Sequence, residues 1–240
     1  MKVINAENLD FRALNQALQD AQGDCAVSGC LGQRFIAAGM SGRRISISGI
    51  PGNALGAYLD GAYIEVSGNA QDAVGDTMNS GTIVVHGNIG DAAGYAMRGG
   101  EIYVEGNAGY RAGVHMKAYR DRVPTIVIGG RAGSFLGEYQ AGGNILVLGL
   151  HTDGKPLVSN FPCTGMHGGK LFLRGNCEKI LFPGQVTAHT ASEEEKAEIR
   201  PYIEEYCRLF GAEFQPIFDS QFTVVTPDSK NPYKQMYVQN

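Results

Sequence analysis

The chain has 240 residues, 43% of them hydrophobic, enough to bury a core as one extended domain. Charged residues are 18% of the chain, the net charge is −4 and no Lys/Arg-rich run occurs, which argues against nucleic acid as a partner. No apolar stretch approaches the roughly 20 residues of a membrane span, and the opening MKVINAENLDFRAL carries no apolar region before a cleavage site.

The five cysteines, Cys25, Cys30, Cys163, Cys177 and Cys207, form an odd, scattered set. Without a visible secretory signal, they predict reduced thiols and a cytoplasmic location. Along the chain, Asp10 predicts the N-cap of a short helix over 11–21, with Phe11, Leu14 and Leu18 on one face. The stretch 24–42 reads as an irregular first coil, since Phe35-Ile-Ala-Ala-Gly39 has the look of a degraded repeat.

From residue 45 a period takes over. A glycine follows a short apolar run at Gly49, Gly68, Gly87, Gly106, Gly130, Gly149 and Gly175, at intervals of 19, 19, 19, 24, 19 and 26 residues. Periods near 20 mark solenoids, and the longer gaps read as the same unit with insertions. The runs before these glycines are Ile45-Ser-Ile-Ser48, Ile64-Glu-Val-Ser67, Ile83-Val-Val-His86, Ile102-Tyr-Val-Glu105, Ile126-Val-Ile-Gly129, Ile145-Leu-Val-Leu148 and Leu171-Phe-Leu-Arg174. Their first and third members are always Ile, Val or Leu, the alternation of a strand with one buried face. Stacked in register, they predict two inward columns. Further inward columns are read at Leu55, Val74, Ala93, Ala112 and Leu136, and at Leu59, Met78, Met97 and Met116.

Glycine also recurs seven residues after the mark, at Gly56, Gly75, Gly94, Gly113 and Gly137, as expected of a coil that bends sharply. A helical reading fails, because each of 34 glycines would cost a helix about 1 kcal/mol. A collagen reading fails for want of a strict three-residue glycine period. The expected fold is all-β: a right-handed, single-stranded parallel β-helix with coils of 19 residues, a helical N-terminal cap and an α+β C-terminal extension. The units are 1–40 (cap and first coil), 41–180 (β-helix) and 181–240 (helix, strand and tail).

Beyond Gly175 the composition changes. Ser192-Glu-Glu-Glu195 has the spacing of a capping box and opens a helix to about Phe210, stopped by Gly211, with a kink or break at Pro201. Ile199, Ile203, Cys207 and Phe210 give it an apolar face, and 222–226 reads as a strand. The tail 232–240 carries Tyr233, Met236 and Tyr237 and docks on its own domain or on a partner.

Candidate chemistry is sparse. Cys163 and His167 have the spacing of two zinc ligands, and Cys177 is a third only through the fold; a loop at the Gly168-Gly169 corner is the simpler reading. His86 and His115 are the imidazoles available as an acid–base pair, each also readable as a surface residue. Glu65 and Glu105 lie two coils apart, about 10 Å at the rise of stacked strands, and with Glu101 read as solvated. No G-x-S-x-G elbow, G-x-G-x-x-G turn or P-loop is present. Asn53, Asn69, Asn88 and Asn107 follow corner glycines and read as turn residues. The insertions, 117–124 with Lys117, Tyr119, Arg120 and Arg122, and 150–161, are expected to bulge from one face; the first suits an acidic partner.

The segments Gly49-Ile-Pro-Gly-Asn-Ala-Leu-Gly-Ala-Tyr-Leu-Asp-Gly61, Gly68-Asn-Ala-Gln-Asp-Ala-Val-Gly75, Arg98-Gly-Gly-Glu-Ile-Tyr-Val-Glu-Gly106 and Gly142-Gly-Asn-Ile-Leu-Val-Leu-Gly149 resemble the G-x-x-G-x-x-x-G repeats of the glutamate synthase C-terminal domain. The likeness covers roughly 40–175, and one of the subunits of formylmethanofuran dehydrogenase carries a related domain. The resemblance implies a right-handed β-helix that holds other modules in place: an amidotransferase that frees ammonia with an N-terminal cysteine, and an FMN, iron–sulfur synthase that reduces the imine. Met1-Lys2-Val3 offers no such cysteine. No catalytic, cofactor-binding or metal residue is therefore assigned, and no cofactor. The expected role is a structural subunit of a glutamate synthase-like oxidoreductase complex, with amidotransferase-type and FMN/iron–sulfur synthase-type subunits as partners and a homo-oligomer left open. The alternatives are a β-helix hydrolase or lyase using His86, His115 or His167 as base, and a component like the β-helical one of a formylmethanofuran dehydrogenase-like complex.

Overall fold

A computed structural model describes residues 1–152 and 154–228. The tail residues Tyr233, Met236 and Tyr237 lie outside them. Nine strands stack in parallel in chain order: β1 (Lys2–Asn5), β2 (Cys25–Leu31), β3 (Arg44–Ile50), β4 (Asp60–Val66), β5 (Ser80–Val85), β6 (Glu101–Val104), β7 (Thr125–Ile128), β8 (Ala141–Val147) and β9 (Gly168–Arg174). Each pairs with the next, so the chain is a β-solenoid.

The register is set by the side chains that point inward. Ile45, Ile64, Ile83, Ile102, Ile126, Ile145 and Leu171 are successive partners, and so are Ile47, Val66, Val85, Val104, Ile128, Val147 and Leu173. All fourteen are buried in one apolar cluster. A slip of one residue would turn every one of them outward, which is why the pairing is so regular. The columns at Leu55 and at Leu59 are buried in the same cluster as expected, except that Gln140 takes the place of methionine after Met116. Its Nε2 donates to the Gly143 carbonyl at 2.9 Å.

The coil at 24–42 is more regular than its sequence suggests. Cys25 pairs with Ile45 and Val27 with Ile47, and Ile36 is fully buried in the core. Helix α1 (Phe11–Asp20) starts at Asp10, whose carboxylate accepts from Arg12 N and Ala13 N. It sends Leu14 and Leu18 into the same core.

Beyond β9 the sheet turns antiparallel. Strand β11 (Phe222–Pro227) pairs with β9, and β10 (Val186–Thr190), for which the sequence carries no clear signal, pairs with β11. Between them run α2 (Glu193–Phe210) and the short α3 (Phe214–Phe218). The capping box at Ser192 and Glu195 is formed, and Gly211 ends α2 at φ +68°. Of the kink or break expected at Pro201, the break does not occur. The helix is continuous, and Pro201 faces solvent, where water can satisfy the carbonyl that the ring leaves unpaired.

One expectation fails over part of the molecule. From β5 onward the sheet does not keep a solvated outer face. The outward column runs Ala26, Ser46, Glu65, Val84, Tyr103, Val127, Leu146, Phe172, Val224. From Val84 onward it is fully buried, together with Ile199, Ile203 and Tyr206 of α2. Gly129 belongs to this packing: a Cβ there would run into the Tyr206 hydroxyl, which reaches the Glu105 carbonyl at 3.3 Å.

Candidate functional site

Two surfaces of the described residues bear on the sequence-predicted histidines and glutamates. The first is the uncovered part of the outer sheet face. Arg44 stacks over Tyr63 at 3.9 Å, and His86 stands between two carboxylates, 3.0 Å from Glu65 and 3.7 Å from Glu105. The two glutamates, expected to be solvated and separate, are therefore joined by one imidazole from the coil between them. The His86 ring also meets Phe210 of α2 edge-on at 5.1 Å. Nearby, Arg208 donates to Glu205 at 2.6 and 2.7 Å and so holds the Glu205 carboxyl below its usual range. These side chains are partly in water, at 29% exposure for His86 and 33% for Glu65. The arrangement joins three coils through His86 and meets the end of α2 at Phe210.

His115 does not join His86. It is exposed on a different surface, stacked on Tyr139 at 5.1 Å and edge-on to Tyr95 at 5.9 Å. Cys163 lies in the interior, where burial pushes its thiol up to about 12, so it stays protonated. His167 turns its Nδ1 to the Gly165 carbonyl at 3.0 Å. Cys177 is buried near β11, its thiol also pushed up by burial. Among the described residues no three His, Cys, Asp or Glu side chains stand close enough to hold a metal ion. Glu101 accepts from the Tyr103 hydroxyl at 2.8 Å.

The second surface is the coil corner, and its backbone explains it. In each regular coil three alternate residues are left-handed, as at Ala73, Gly75 and Thr77 or at Arg111, Gly113 and His115. The middle one points inward: a Cβ at Gly75 would stand 2.6 Å from Ile102 Cδ1. Glycine fills that position in the regular coils, and Ala37 and Cys163 take it in the first and last. Its two neighbours point outward, so alanine, threonine, arginine, phenylalanine, tyrosine and histidine are accepted despite a φ near +55°. Hydrogen bonds between coils offset that strain: Ala73 N donates to Asp91 O, Gly75 N to Leu55 O and Thr77 N to Tyr95 O, all within 2.8 Å.

Side-chain ladders run beside this backbone. Asn69 Oδ1 accepts from Asn88 N, Asn88 Oδ1 from Asn107 N and Asn107 Oδ1 from Arg131 N, each at 2.8 Å. Asp72 and Asp91 repeat the device one corner on. The asparagines are therefore not the local turn residues that their spacing suggests. They tie each coil to the next.

Over the later coils the corner becomes aromatic. Tyr95, His115 and Tyr139 stack along the solenoid, and Phe135 meets Phe161 at 5.4 Å with Arg111 over the Phe135 ring. Tyr110 and Phe161 are 54% and 63% exposed. The rings rise from a backbone that cannot relax without breaking the inter-coil bonds, so their points of attachment are fixed.

Residues 20–228 match the family described as GXGXG motif. The chain belongs to this family. The match agrees with the resemblance to the glutamate synthase C-terminal domain. An uncharacterized protein of Methanocaldococcus jannaschii is 40% identical over 249 residues, covering 98% of this chain and 95% of the relative. Among solved structures, a chain of the formyltransferase/hydrolase complex FhcABCD from Methylorubrum extorquens, determined with methylofuran, superimposes with a TM-score of 0.60. It is 17% identical and covers 92% of this chain and 89% of its own, so it shares the fold.

Within this GXGXG chain, sequence reasoning missed the aromatic ridge because its residues follow no glycine or strand signal. Position five after the marking glycines runs Ala54, Ala73, Ala92, Arg111 and Phe135, and tabulating that offset would have exposed the change away from alanine, although Tyr95, Tyr110 and Phe161 stand at other offsets. The basic insertion does not project freely. Tyr119 and Arg122 bridge each other, and Arg122 reaches back to the Asn79 carbonyl at 3.3 Å and Asp60 at 3.5 Å. Among the described residues no helix is long and apolar enough to cross a membrane.

Proposed function

We propose that this chain is a non-catalytic structural subunit of a multi-protein complex, and that the complex is glutamate synthase-like. In this reading the solenoid holds an amidotransferase-type subunit and an FMN/iron–sulfur synthase-type subunit in place, and the segments 1–40 and 181–240 close the two ends of the rod at 41–180. The observation that carries it is the exposed aromatic ridge of Tyr95, Tyr110, His115, Phe135, Tyr139 and Phe161 with Arg111 beside it. Tyrosine, phenylalanine and arginine are the residue types that anchor protein interfaces, and pre-ordered anchors lose little entropy on docking. Family membership supports the same role.

The test is purification of the tagged chain from native extract. A flavoprotein and an amidotransferase are expected to accompany it, and the pair Tyr139→Ala and Phe161→Ala to release them without changing the melting temperature of the free chain. Recovery of the chain alone at every salt concentration overturns the proposal. A second reading rests on the FhcABCD likeness: the partners are then formyl-transferring and hydrolysing subunits instead, and their identity in the same pull-down separates the two.

A further inference from the structure

Residues 154–157 of the second insertion and the chain leaving the last coil border an open cleft of about 540 Å³, within the range of small-molecule sites. Lys155, Arg174 and Lys179 line it with Leu157 and Ile180, and Glu178 is the one carboxylate among its described lining residues. None of the three cations lies within 4.0 Å of a carboxylate among the described residues. Arg174 is anchored rather than neutralised: it donates to the carbonyls of Leu148 and Gly149 and to Ser220 Oγ. Burial pushes its guanidinium below the ordinary value. A second cleft of about 420 Å³ shares Pro156, Lys179 and Ile180 and adds Arg131. Such a run of cations stands out on a chain of net charge −4.

We propose that the larger cleft binds a small organic anion, with its carboxylate or phosphate held by Arg174, Lys155 and Lys179 and its apolar part on Leu157 and Ile180. A guanidinium presents a planar fork that matches such oxyanions, and two flexible ammonium groups complete the cradle from the rim. An anion there would pair with a half-buried guanidinium that has no carboxylate within 4.0 Å among the described residues. No ridge residue lines this larger cleft, although Phe161 lines the smaller one beside it, so the lysine variants test anion binding apart from the scaffold role.

The experiment is calorimetric titration of the full chain at low ionic strength with three probes: hexyl phosphate, hexanoate and neutral hexanol. Saturable one-to-one binding of either anion, and not of hexanol, is expected; the tighter anion identifies the head group. Lys155→Gln and Lys179→Gln should each weaken that binding about threefold, and the double variant roughly tenfold, as for partly exposed ion pairs. Both lysines are exposed, so their replacement leaves the fold intact. Binding that survives unchanged in the double variant overturns the proposal. So does hexanol binding as tightly as the anions, or neither anion binding at all.

Discussion

The inner and outer faces of strands β5 to β9 are made from alternating residues of the same short runs, and both are buried. On the inner face each side chain packs on its counterpart one coil away, Ile83 on Ile64 and Ile102, so the packing partner is a repeat of itself. On the outer face Val84, Tyr103, Val127, Leu146 and Phe172 pack against Ile199, Ile203 and Tyr206, residues of a helix that the repeat does not contain. One face is specified by a period and the other by a distant segment. The first should therefore fail as a cooperative stack, and the second should fail alone.

The sharpest way to break the inner face is Gly94→Val. Its φ is +67°, and a Cβ would lie 2.5 Å from Ile126 Cδ1, so the change adds backbone strain to a core clash. A loss beyond about 4 kcal/mol, or failure to fold, is expected in denaturant unfolding. Ile83→Ala comes next. It empties one position of the central column and should cost about 2–5 kcal/mol by the same measurement. If either variant unfolds like the parent, these residues do not point inward.

The period made the inner face legible because strand alternation and stacking both act on it. Ile45 to Leu173 could be assigned inward from spacing alone, and the ends of α2 from Ser192 and Gly211. The outer face was partly legible as well: its second strand position changes from Ser46 and Glu65 to Val84, Tyr103 and Val127, and that change marks where α2 lies. The corner was not. A left-handed residue betrays itself as glycine only where a side chain would collide, as at Gly75; Thr77 and His115 have the same backbone sign and leave no trace. The asparagine ladder was equally hidden, because a residue that bonds to the next coil looks the same in sequence as one that bonds within its own turn. For the candidate surfaces, single residues such as His86 and His115 were visible, but their partners were not, since Glu65, Glu105 and Tyr139 come from other coils.

Ile203→Ala sharpens the comparison from the other side. Ile203 is fully buried between α2 and the sheet. Its truncation should cost about 2–4 kcal/mol, and hydrogen exchange should show where. Amides of α2 are expected to exchange faster while those of β5 to β8 keep their protection. Equal loss of protection in both would mean that the helix and the solenoid form one cooperative unit, and that the two faces do not fail separately.

The smallest expected effect concerns the end of α2, where the outer face meets water. Arg208 donates two hydrogen bonds to Glu205, and this depresses the Glu205 carboxyl below the ordinary 4.5. A carboxyl lowered in the folded state stabilises it most where the unfolded chain is also ionised, above about 4.5, and the contribution disappears as pH falls through the lower folded value. Glu205→Gln should therefore melt slightly below the parent at neutral pH, with the gap closing in acid. The gap is small because the Arg208 side chain is 64% exposed and water screens the pair. Melting curves of both proteins from neutral pH down to about pH 3 read this directly. A gap that widens on acidification would mean that the carboxyl is raised, not lowered, by folding. A gap that persists unchanged would mean that Glu205 holds α2 to the sheet by shape, and that the outer face owes nothing to charge at its exposed end.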